Sequence, residues 1–101
     1  MAPRGEEVEQ MLLRLFVAGR STNSLKARAN LDALLRGLPE PRVVLEVVDV
    51  LRDPERGLRE GVVVTPTLVK VAPAPERRII GNLQDLRVLR AELGLDEPAD
   101  G

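Results

Sequence analysis

The chain has 101 residues, of which 44 % are apolar and 31 % are charged, and its formal net charge is −1. Cysteine and histidine are absent, which excludes disulfides, thiol chemistry, Cys/His zinc sites and imidazole catalysis. A single aromatic residue and a near-zero net charge argue against base stacking and against attraction to a phosphate backbone, so no nucleic-acid partner is predicted. The composition favours one aliphatic domain that binds a partner over one that catalyses a reaction.

Both ends of the chain are polar and lack hydrophobic periodicity. We therefore predict disordered tails over residues 1–10 and 95–101, around a single domain over residues 11–94. The first residues are acidic, whereas a secretory signal begins with basic ones. Arg14 interrupts the first apolar stretch, and no stretch approaches the roughly 20 apolar residues of a membrane span. The sequence predicts a cytoplasmic protein that does not enter a membrane.

The first half of the domain predicts a strand, a helix and a second strand. The run over residues 11–18 is short, apolar and bounded by Gly19, which is typical of a central strand buried on both faces. Residues 20–24 form a polar turn whose hydroxyl and amide side chains can cap a following helix. The apolar positions of that helix recur with helical spacing at Ala27, Leu31, Leu34, Leu35 and Leu38.

A glycine and a proline end the first helix. Gly37 suits a left-handed turn, and Pro39 cannot continue the helical hydrogen bonds. Residues 43–50 then predict a second strand, because they are rich in β-branched side chains that only Glu46 and Asp49 interrupt. We interpret Asp49, near the end of this strand, as a capping or turn-forming residue.

A short helix and a third strand come next. Residues 53–55 read Asp-Pro-Glu, which is a compact helix start, and Gly61 is predicted to end this helix. The three valines at 62–64 and the run over 67–71 have strand propensity on the two sides of Pro66.

The chain then turns back and finishes in a helix. Pro73 and Pro75 predict a turn, after which residues 77–80 return as a fourth, antiparallel strand. Asn82 is predicted to cap the last helix, which Gly94 ends and whose apolar face is formed by Leu83, Leu86, Leu89 and Leu93. The order β-α-β-α-β-β-α predicts an α/β fold with a four-stranded mixed sheet, a right-handed crossover after the first strand, and helices on both sides.

The sequence Thr65-Pro66-Thr67 at the start of the third strand makes this order resemble the thioredoxin-like fold. In that fold the proline is cis and faces the turn after the first strand, so the resemblance implies a cis Pro66, whereas a proline at a strand start is ordinarily trans. Thioredoxins carry Cys-x-x-Cys at that turn, where this chain has Ser21-Thr22-Asn23-Ser24. A serine supplies no thiolate, so disulfide exchange is not expected.

Ser21 and Ser24 have two interpretations, as hydrolytic nucleophiles or as helix caps. No residue near them in sequence supplies a general base, and capping accounts for both hydroxyls. We therefore predict that the protein is not an enzyme and has no catalytic residue, no cofactor and no metal site.

An ordered set of segments between Leu12 and Leu93 resembles the KaiB family of bacterial circadian clock proteins. The segments are Leu15-Phe16-Val17-Ala18-Gly19, Asn23-Ser24, Val48-Asp49-Val50-Leu51, Pro54, Thr65 to Val71, Pro75 and Arg77 to Leu83. The resemblance implies a non-enzymatic partner of a KaiC-type ATPase. It also implies that the protein competes for, or signals to, a sensor histidine kinase with a related domain.

Members of this family occur in two folds, and the resemblance alone leaves both open. One is an oligomer, usually a tetramer, with the order β-α-β-β-α-α-β; the other is a thioredoxin-like monomer, which binds the ATPase. Residues 62–71 are rich in valine and threonine, which are poor helix formers, and residues 83–93 are mostly Leu, Arg, Ala and Glu at helical spacing. Local propensity therefore predicts the thioredoxin-like monomer as the dominant state and the homotetramer as the alternative.

The resemblance also implies which residues bind the ATPase. In the family this surface is built from the first helix and the second strand, and the matching positions are Lys26, Val44 and Glu46. The second strand is predicted at a sheet edge, where unpaired backbone groups can receive a partner. Clock members typically carry lysine where this chain has Glu46, and this charge reversal changes the partner that the surface fits. An ordinary solvated face is the alternative for Lys26 and Glu46.

Two arginines, Arg77 and Arg78, precede Ile-Ile-Gly as they do in the family. Adjacent strand residues point to opposite faces, so one arginine can pair with a carboxylate while the other meets solvent or a partner. A surface salt bridge is the alternative to a binding role. We assign structural roles to Gly81 and Asn82, which follow this strand, and to Pro66.

Two functions remain after this survey. The first is a KaiB-like regulator that binds a hexameric ATPase and modulates a kinase. The second is a redox-inactive thioredoxin-like adaptor, or a KaiB paralogue outside the clock, for instance in a stress response. An enzyme that uses carboxylates or arginines is disfavoured.

Overall fold

Seven elements follow one another in the predicted order. The computed structural model describes residues 10–37 and 43–95. They form β1 (Met11–Val17), α1 (Thr22–Arg36), β2 (Val43–Asp49), α2 (Pro54–Arg59), β3 (Thr67–Ala72), β4 (Arg77–Ile80) and α3 (Leu86–Glu92). Most of the two predicted tails, and Pro39 at the predicted end of the first helix, lie outside the described residues.

The four strands form one mixed sheet in the order β2-β1-β3-β4. Strand β1 pairs in parallel with β2 and antiparallel with β3, and β3 pairs antiparallel with β4. The parallel β1-α1-β2 unit and the β3-β4 hairpin are therefore as predicted. Strands β1 and β3 each have a neighbour on both sides and are the two interior strands, and β2 and β4 lie at the two edges.

The side chains of β1 alternate between two faces of the sheet. Leu13, Leu15 and Val17 point to one face, called here the α1 face, where α1 and α3 cover them. Arg14 and Phe16 point to the opposite face, called here the α2 face. The core of the α1 face consists of the β1 leucines and valine together with Ala27, Leu31, Leu34, Leu68, Leu83, Leu89 and Leu93.

A glycine allows α2 to approach the sheet closely. Asp53 caps this helix by accepting a hydrogen bond from the backbone N–H of Arg56, and Pro54 occupies its first turn, as predicted. Gly57 is buried in the middle of the helix, where glycine costs about 1 kcal/mol of helix propensity. A Cβ atom at this position would lie 3.1 Å from Cγ1 of Val50, so only glycine fits without displacing the valine.

The prediction of strand structure at residues 62–64 was wrong. Strand β3 begins only at Thr67, which lies opposite Phe16 in the register. Because β1 ends at Val17, the three valines run past the end of their neighbour and have no strand to pair with. Their side chains consequently border an apolar cleft of about 410 Å³, whose most exposed members are Leu51, Leu58 and Val63.

The end of α1 also differs from the expected left-handed turn. Gly37 is the C-cap residue, but its φ of −83° is right-handed. Its N–H donates to the carbonyl oxygen of Leu34 at 3.1 Å, so a tight last turn satisfies this carbonyl without a left-handed residue.

The last helix begins later than predicted. Asp85 caps it instead of Asn82, because the Asp85 carboxylate accepts hydrogen bonds from the N–H groups of Arg87 and Val88 at 3.1 and 3.3 Å. Asn82 instead stabilises the loop before α3. Its Oδ1 accepts a hydrogen bond from the backbone N–H of Gln84, and its backbone carbonyl oxygen accepts one from the Asn30 side chain at 2.8 Å. The loop thus binds α1. Because Leu83 has a left-handed φ of 62°, the right-handed helix can begin only after it, and Asp85 is its cap.

Glycines and prolines shape the remaining turns. The Thr65–Pro66 bond is cis, as the resemblance implies. The Ala72–Pro73 and Ala74–Pro75 bonds are also cis, and no sequence pattern predicted this. Gly81 has a φ of +116°, and its N–H donates to the carbonyl oxygen of Pro66 at 3.0 Å. This hydrogen bond ties the loop after β4 to the start of β3.

The buried side chain of Leu83 is held in a left-handed backbone conformation. Its φ is 62°, although its side chain is only 6 % exposed and belongs to the core of the α1 face. A left-handed residue with a Cβ costs about 1–2 kcal/mol, and glycine does not carry this cost. The packing of one leucine therefore holds the loop in a strained conformation.

We expect Leu83→Ala and Leu83→Gly both to destabilise the protein by about 2–4 kcal/mol through the loss of buried side-chain volume. Leu83→Gly should nevertheless be the more stable of the two by about 1 kcal/mol, because only glycine relieves the left-handed strain. Urea unfolding of both variants measures the difference. An alanine variant that is clearly more stable than the glycine variant would contradict the strain.

Candidate functional site

The family resemblance points to the second strand, and β2 is an edge strand of the sheet. Within the described residues β2 pairs only with β1, so its outer backbone groups face away from the sheet. Val44 and Glu46 project on the α2 face, and Val47 projects on the α1 face. Val44 is 47 % exposed. An open edge with an exposed apolar side chain is the geometry in which a partner strand can be added.

Four charged side chains form a network on the α2 face. Arg14 donates from Nε to Oε1 of Glu46 at 2.8 Å and from Nη1 to Oε1 of Glu60 at 2.8 Å. Arg56 of α2 donates from Nη1 and Nη2 to the two carboxylate oxygens of Glu46, both at 3.0 Å. Nε of Arg56 also lies 3.5 Å from Oε2 of Glu60. This set, called the Arg14 network, joins β1, β2 and α2.

The pKa values of the network follow its geometry. Hydrogen bonds from Arg56 and then Arg14 hold the pKa of Glu46 below its ordinary value. Burial disfavours the charge of Arg14, but hydrogen bonds to Glu60 and Glu46 outweigh it and raise its pKa. Glu46 is therefore committed to two arginines of its own chain, and the network balances two positive charges with two negative ones.

Sequence reasoning did not find the partners of Glu46. The signal was present in Arg14, a charge inside an otherwise apolar central strand, which needs a carboxylate close by. In the parallel register Arg14 lies directly opposite Glu46. The α2 members, Arg56 and Glu60, could not be identified without knowing which face of the sheet that helix covers.

The other predicted binding residues do not gather at one place. Lys26 is exposed on α1, which covers the opposite face of the sheet from Val44 and Glu46. It lies one helical turn before Asn30, whose side chain binds the loop after β4, so Lys26 is on the flank of α1 away from β2. Arg78 projects on the α2 face, where it donates to the carbonyl oxygens of Glu60 and Gly61. The guanidinium of Arg78 also lies 3.5 Å from the carboxylate of Glu76. Arg78 thus has contacts within the chain.

Arg77 lies on the α1 face at the far edge of the sheet. It is opposite Lys70 in the register of β3 and β4 and is exposed. Both arginines are on β4, which β1 and β3 separate from β2, and the structure brings together only Val44 and Glu46 of the five predicted residues.

The two serines of the turn after β1 are used as structural hydrogen-bonding groups. Ser21 caps α1, and its hydroxyl accepts from the N–H of Ser24 at 3.3 Å. The hydroxyl of Ser24 accepts from the N–H of Ala18 at 3.1 Å, and Ser24 is only 2 % exposed. These contacts agree with the capping interpretation and leave Ser24 inaccessible to a substrate.

Asp49 closes the same end of the sheet. Its Oδ1 accepts from the N–H of Gly19 at 2.9 Å and from the N–H of Leu51 at 3.0 Å. These two hydrogen bonds, the one from Gly19 first, lower the pKa of Asp49. The carboxylate thus joins the turn after β1 to the turn after β2, in agreement with its predicted turn-forming role.

Across the part of the chain that the structure describes, none of the helices has both the length and the apolar character that crossing a membrane would take.

Glu46→Gln tests the Arg14 network. A carboxyl group with a lowered folded pKa contributes stability that is complete above its ordinary value of 4.5 and is lost as the pH falls through the lowered value. We expect E46Q to be less stable than the wild type by about 1 kcal/mol at neutral pH, as for partly exposed ion pairs, and equally stable in acid. Glu46→Lys should cost more, because it adds a third cation beside Arg14 and Arg56.

Urea unfolding across the pH range measures this difference. Glu55→Gln is the matched control, because Glu55 is an exposed carboxylate of α2 that makes no ion pair within residues 10–37 and 43–95. A gap between wild type and E46Q that persists unchanged in acid would contradict the network.

Similarity to known proteins extends over nearly the whole chain. The model of the KaiB domain family matches residues 14–95. The circadian clock oscillator protein KaiB of Prochlorococcus marinus (strain MIT 9211) is 38 % identical over 96 residues, which cover 95 % of this chain and 79 % of that protein.

Solved structures place the fold. The N-terminal domain of Synechococcus elongatus SasA superposes with a TM-score of 0.72 at 27 % identity, covering 96 % of this chain and 94 % of that domain. The thioredoxin of Fasciola hepatica superposes with a TM-score of 0.70 at 19 % identity, covering 91 % of this chain and 86 % of that one, which shows the thioredoxin-like fold alone. The chain belongs to the KaiB family of circadian clock proteins, in a thioredoxin-like fold.

Proposed function

We propose that this protein is a non-enzymatic cytoplasmic regulator that binds a KaiC-type ATPase in its thioredoxin-like, monomeric state. The ATPase docks on α1 and on the open edge of β2. By occupying the ATPase, the protein also modulates a sensor histidine kinase that carries a related domain. The observation that carries the proposal is the pairing of KaiB-family membership with a fold shared with the SasA N-terminal domain.

The accessible edge of β2 supports this mode of docking. Val44 is exposed beside the edge and Lys26 is exposed on α1, so a partner that pairs with β2 must also extend over α1 to contact both. A partner strand gains hydrogen bonds along the edge without requiring this chain to rearrange. The Arg14 network holds α2 on the sheet behind that edge.

The internal pairing of Glu46 changes how its departure from the family pattern is interpreted. Clock members typically carry lysine at this position, and an unpaired glutamate would repel a partner that is complementary to lysine. In this chain Arg14 and Arg56 neutralise Glu46. Binding therefore depends on Val44 and Lys26, and position 46 contributes mainly to the stability of the fold.

The same departure favours one second candidate, a redox-inactive adaptor or a KaiB paralogue outside the clock. Such a protein would use the same edge for another partner and would ignore the ATPase. Neither candidate has disulfide reductase activity, since the chain has no cysteine. Binding to the ATPase distinguishes the two.

For binding, we expect wild-type protein to be retained by immobilised KaiC-type ATPase from the same genome, in its ADP-bound form. Val44→Asp should weaken binding by at least about tenfold, because it replaces an exposed apolar side chain of the strand interface with a charge, and Lys26→Ala by a few-fold. Arg87→Ala on α3 is the control that should bind as the wild type does. Failure of the wild type to bind the ATPase in its ADP-bound form would favour the adaptor.

For the solution state, we expect light scattering to give a single species of about 11.1 kDa. Backbone chemical shifts should be helical over residues 86–92, as in the structure. A tetrameric mass with strand shifts over this segment would contradict the thioredoxin-like monomer and support the alternative fold.

A further inference from the structure

One charged side chain is buried within the described residues, the lysine of strand β3. Lys70 is 5 % exposed, and it projects on the α1 face because it lies opposite Leu13 in the register of β1 and β3. Its ammonium group makes no ion pair or hydrogen bond with any residue of the ranges 10–37 and 43–95, and its Nζ atom is not fully enclosed. A buried charge without a partner costs stability, so folding alone does not account for Lys70.

A second cation lies directly beside Lys70. Arg77 is opposite Lys70 in the register of β3 and β4, and the Cβ atoms of two such residues are about 4.5–5.5 Å apart. The Arg77 side chain is exposed and makes no ion pair within the part of the chain that the structure describes. Like charges directly opposite each other destabilise a sheet. We call these two residues the Lys70–Arg77 pair.

The carboxylates of the described residues do not neutralise the Lys70–Arg77 pair. Glu76 pairs with Arg78, which projects on the opposite face of the sheet. Glu92, in the last turn of α3, is exposed and makes no ion pair with either cation. The other described carboxylates are on α1, β2, α2 and the turns before α2 and α3, at Asp32, Glu46, Asp49, Asp53, Glu55, Glu60 and Asp85. One corner of the α1 face thus carries two unpaired cations.

The Lys70–Arg77 pair lies at an open edge of the sheet. Among the described strands β4 pairs only with β3, so its outer backbone groups can receive another strand. At the other end of β4, Ile80 is 66 % exposed. It projects on the α2 face, because it is opposite Thr67, which is itself opposite Phe16. A strand added to β4 would meet two cations on one face and an apolar side chain on the other.

We propose that the β4 edge binds an extended acidic segment of a partner protein, which pairs with β4 as a further strand and places a carboxylate against Lys70 and Arg77. In antiparallel pairing, the commoner arrangement, the segment has an apolar residue opposite Ile80 and, three residues later, the acidic residue opposite Arg77. The inference goes beyond the proposed function, because β4 is at the opposite edge of the sheet from the proposed ATPase docking at β2. Each can therefore fail without the other.

The open strand favours a protein segment over a phosphate-bearing ligand. A phosphate group could contact the two cations, but it would leave the backbone groups of β4 without partners and Ile80 uncovered. The chain as a whole has a net charge of −1 and one aromatic residue, so neither attraction to a phosphate backbone nor base stacking extends beyond the pair. An acidic strand satisfies the cations, the backbone and the exposed isoleucine together.

Three synthetic peptides test this recognition on the full-length protein. Each is a run of threonines that contains an isoleucine and, three residues after it, a glutamate, a glutamine or a lysine. The readout is the shift of backbone amide signals in a titration of the ¹⁵N-labelled protein. We expect the glutamate peptide to shift the amides of residues 77–80 and to bind at least about tenfold more tightly than the glutamine peptide, because it alone forms charged hydrogen bonds. The lysine peptide should leave these amides unchanged.

Two variants and a matched control locate the interaction. Lys70→Met removes the ammonium group but keeps an unbranched apolar side chain, and Arg77→Gln removes the guanidinium. Each should bind the glutamate peptide about as weakly as the wild type binds the glutamine peptide. Arg20→Gln removes an exposed arginine at the opposite end of the sheet and should bind as the wild type does. The amide spectrum of each variant reports whether its fold is retained.

Urea unfolding separates a binding role of Lys70 from a structural one. K70M should unfold at a higher urea concentration than the wild type, because it removes a buried charge that has no partner. Higher stability together with weaker binding is the result expected of a residue that serves a ligand. A K70M variant that is less stable than the wild type and binds the glutamate peptide equally well would overturn the site.

Other results would also overturn recognition of an acidic segment at the β4 edge. They are equal binding of the glutamate and glutamine peptides, shifts confined to the amides of β2, and equal shifts of residues 77–80 with inorganic phosphate. Amide signals of β4 that change when the protein alone is diluted would show that a second copy of the chain occupies the edge, and this would overturn a partner segment as its ligand.

Discussion

The ion pairs of Arg14, in the interior strand β1, are the interaction that ties three elements of this protein together. The Arg14 side chain is 27 % exposed, and an ion pair of this exposure contributes up to about 1 kcal/mol. Its two carboxylate partners, Glu46 and Glu60, come from β2 and α2. They reach it only when β2 pairs in the observed register and α2 covers the same face. The ion pairs of Arg14 thus favour one register for β2 and one face of the sheet for α2. The pairing of β1 with β2 and the packing of α2 therefore support each other.

This arrangement gives the two sides of the β2 edge different chemistry. On the α2 face Glu46 and both of its arginines are satisfied within the chain, so this side offers a partner only the apolar surface of Val44. On the α1 face Leu25 and Val47 are exposed near Arg20 and Arg28, and Arg28 is paired with Asp32. A sheet edge is by itself an unspecific binding site, because every strand has the same backbone groups. In the proposed docking, the side chains on its two sides would supply the specificity that the backbone cannot.

The polar side chains at the end of β1, next to the start of α1, have structural roles. In a thioredoxin-like fold the turn after the first strand is the place for chemistry, but here Ser21 and Ser24 hold the start of α1 and the end of β1. The Asp49 carboxylate accepts a hydrogen bond from the N–H of Gly19, which holds the turn after β1 and lowers the pKa of Asp49. A stable frame at this end keeps α1 and β2 in a fixed relation to each other. The surface that α1 and β2 present together therefore depends on these polar contacts.

The sequence by itself determined the elements and their order, because periodicity, caps and breakers act over a few residues. The caps at Ser21 and Asp53, for example, need only the helix that follows them. Tertiary structure decided what depends on distant neighbours. The valines at 62–64 have strand propensity but run beyond the end of β1. The last helix starts at Asp85 because the packing of Leu83 holds the backbone before it in a left-handed conformation. Which face α2 covers, and hence the partners of Glu46, follows from packing between segments far apart in the chain, which no local pattern encodes.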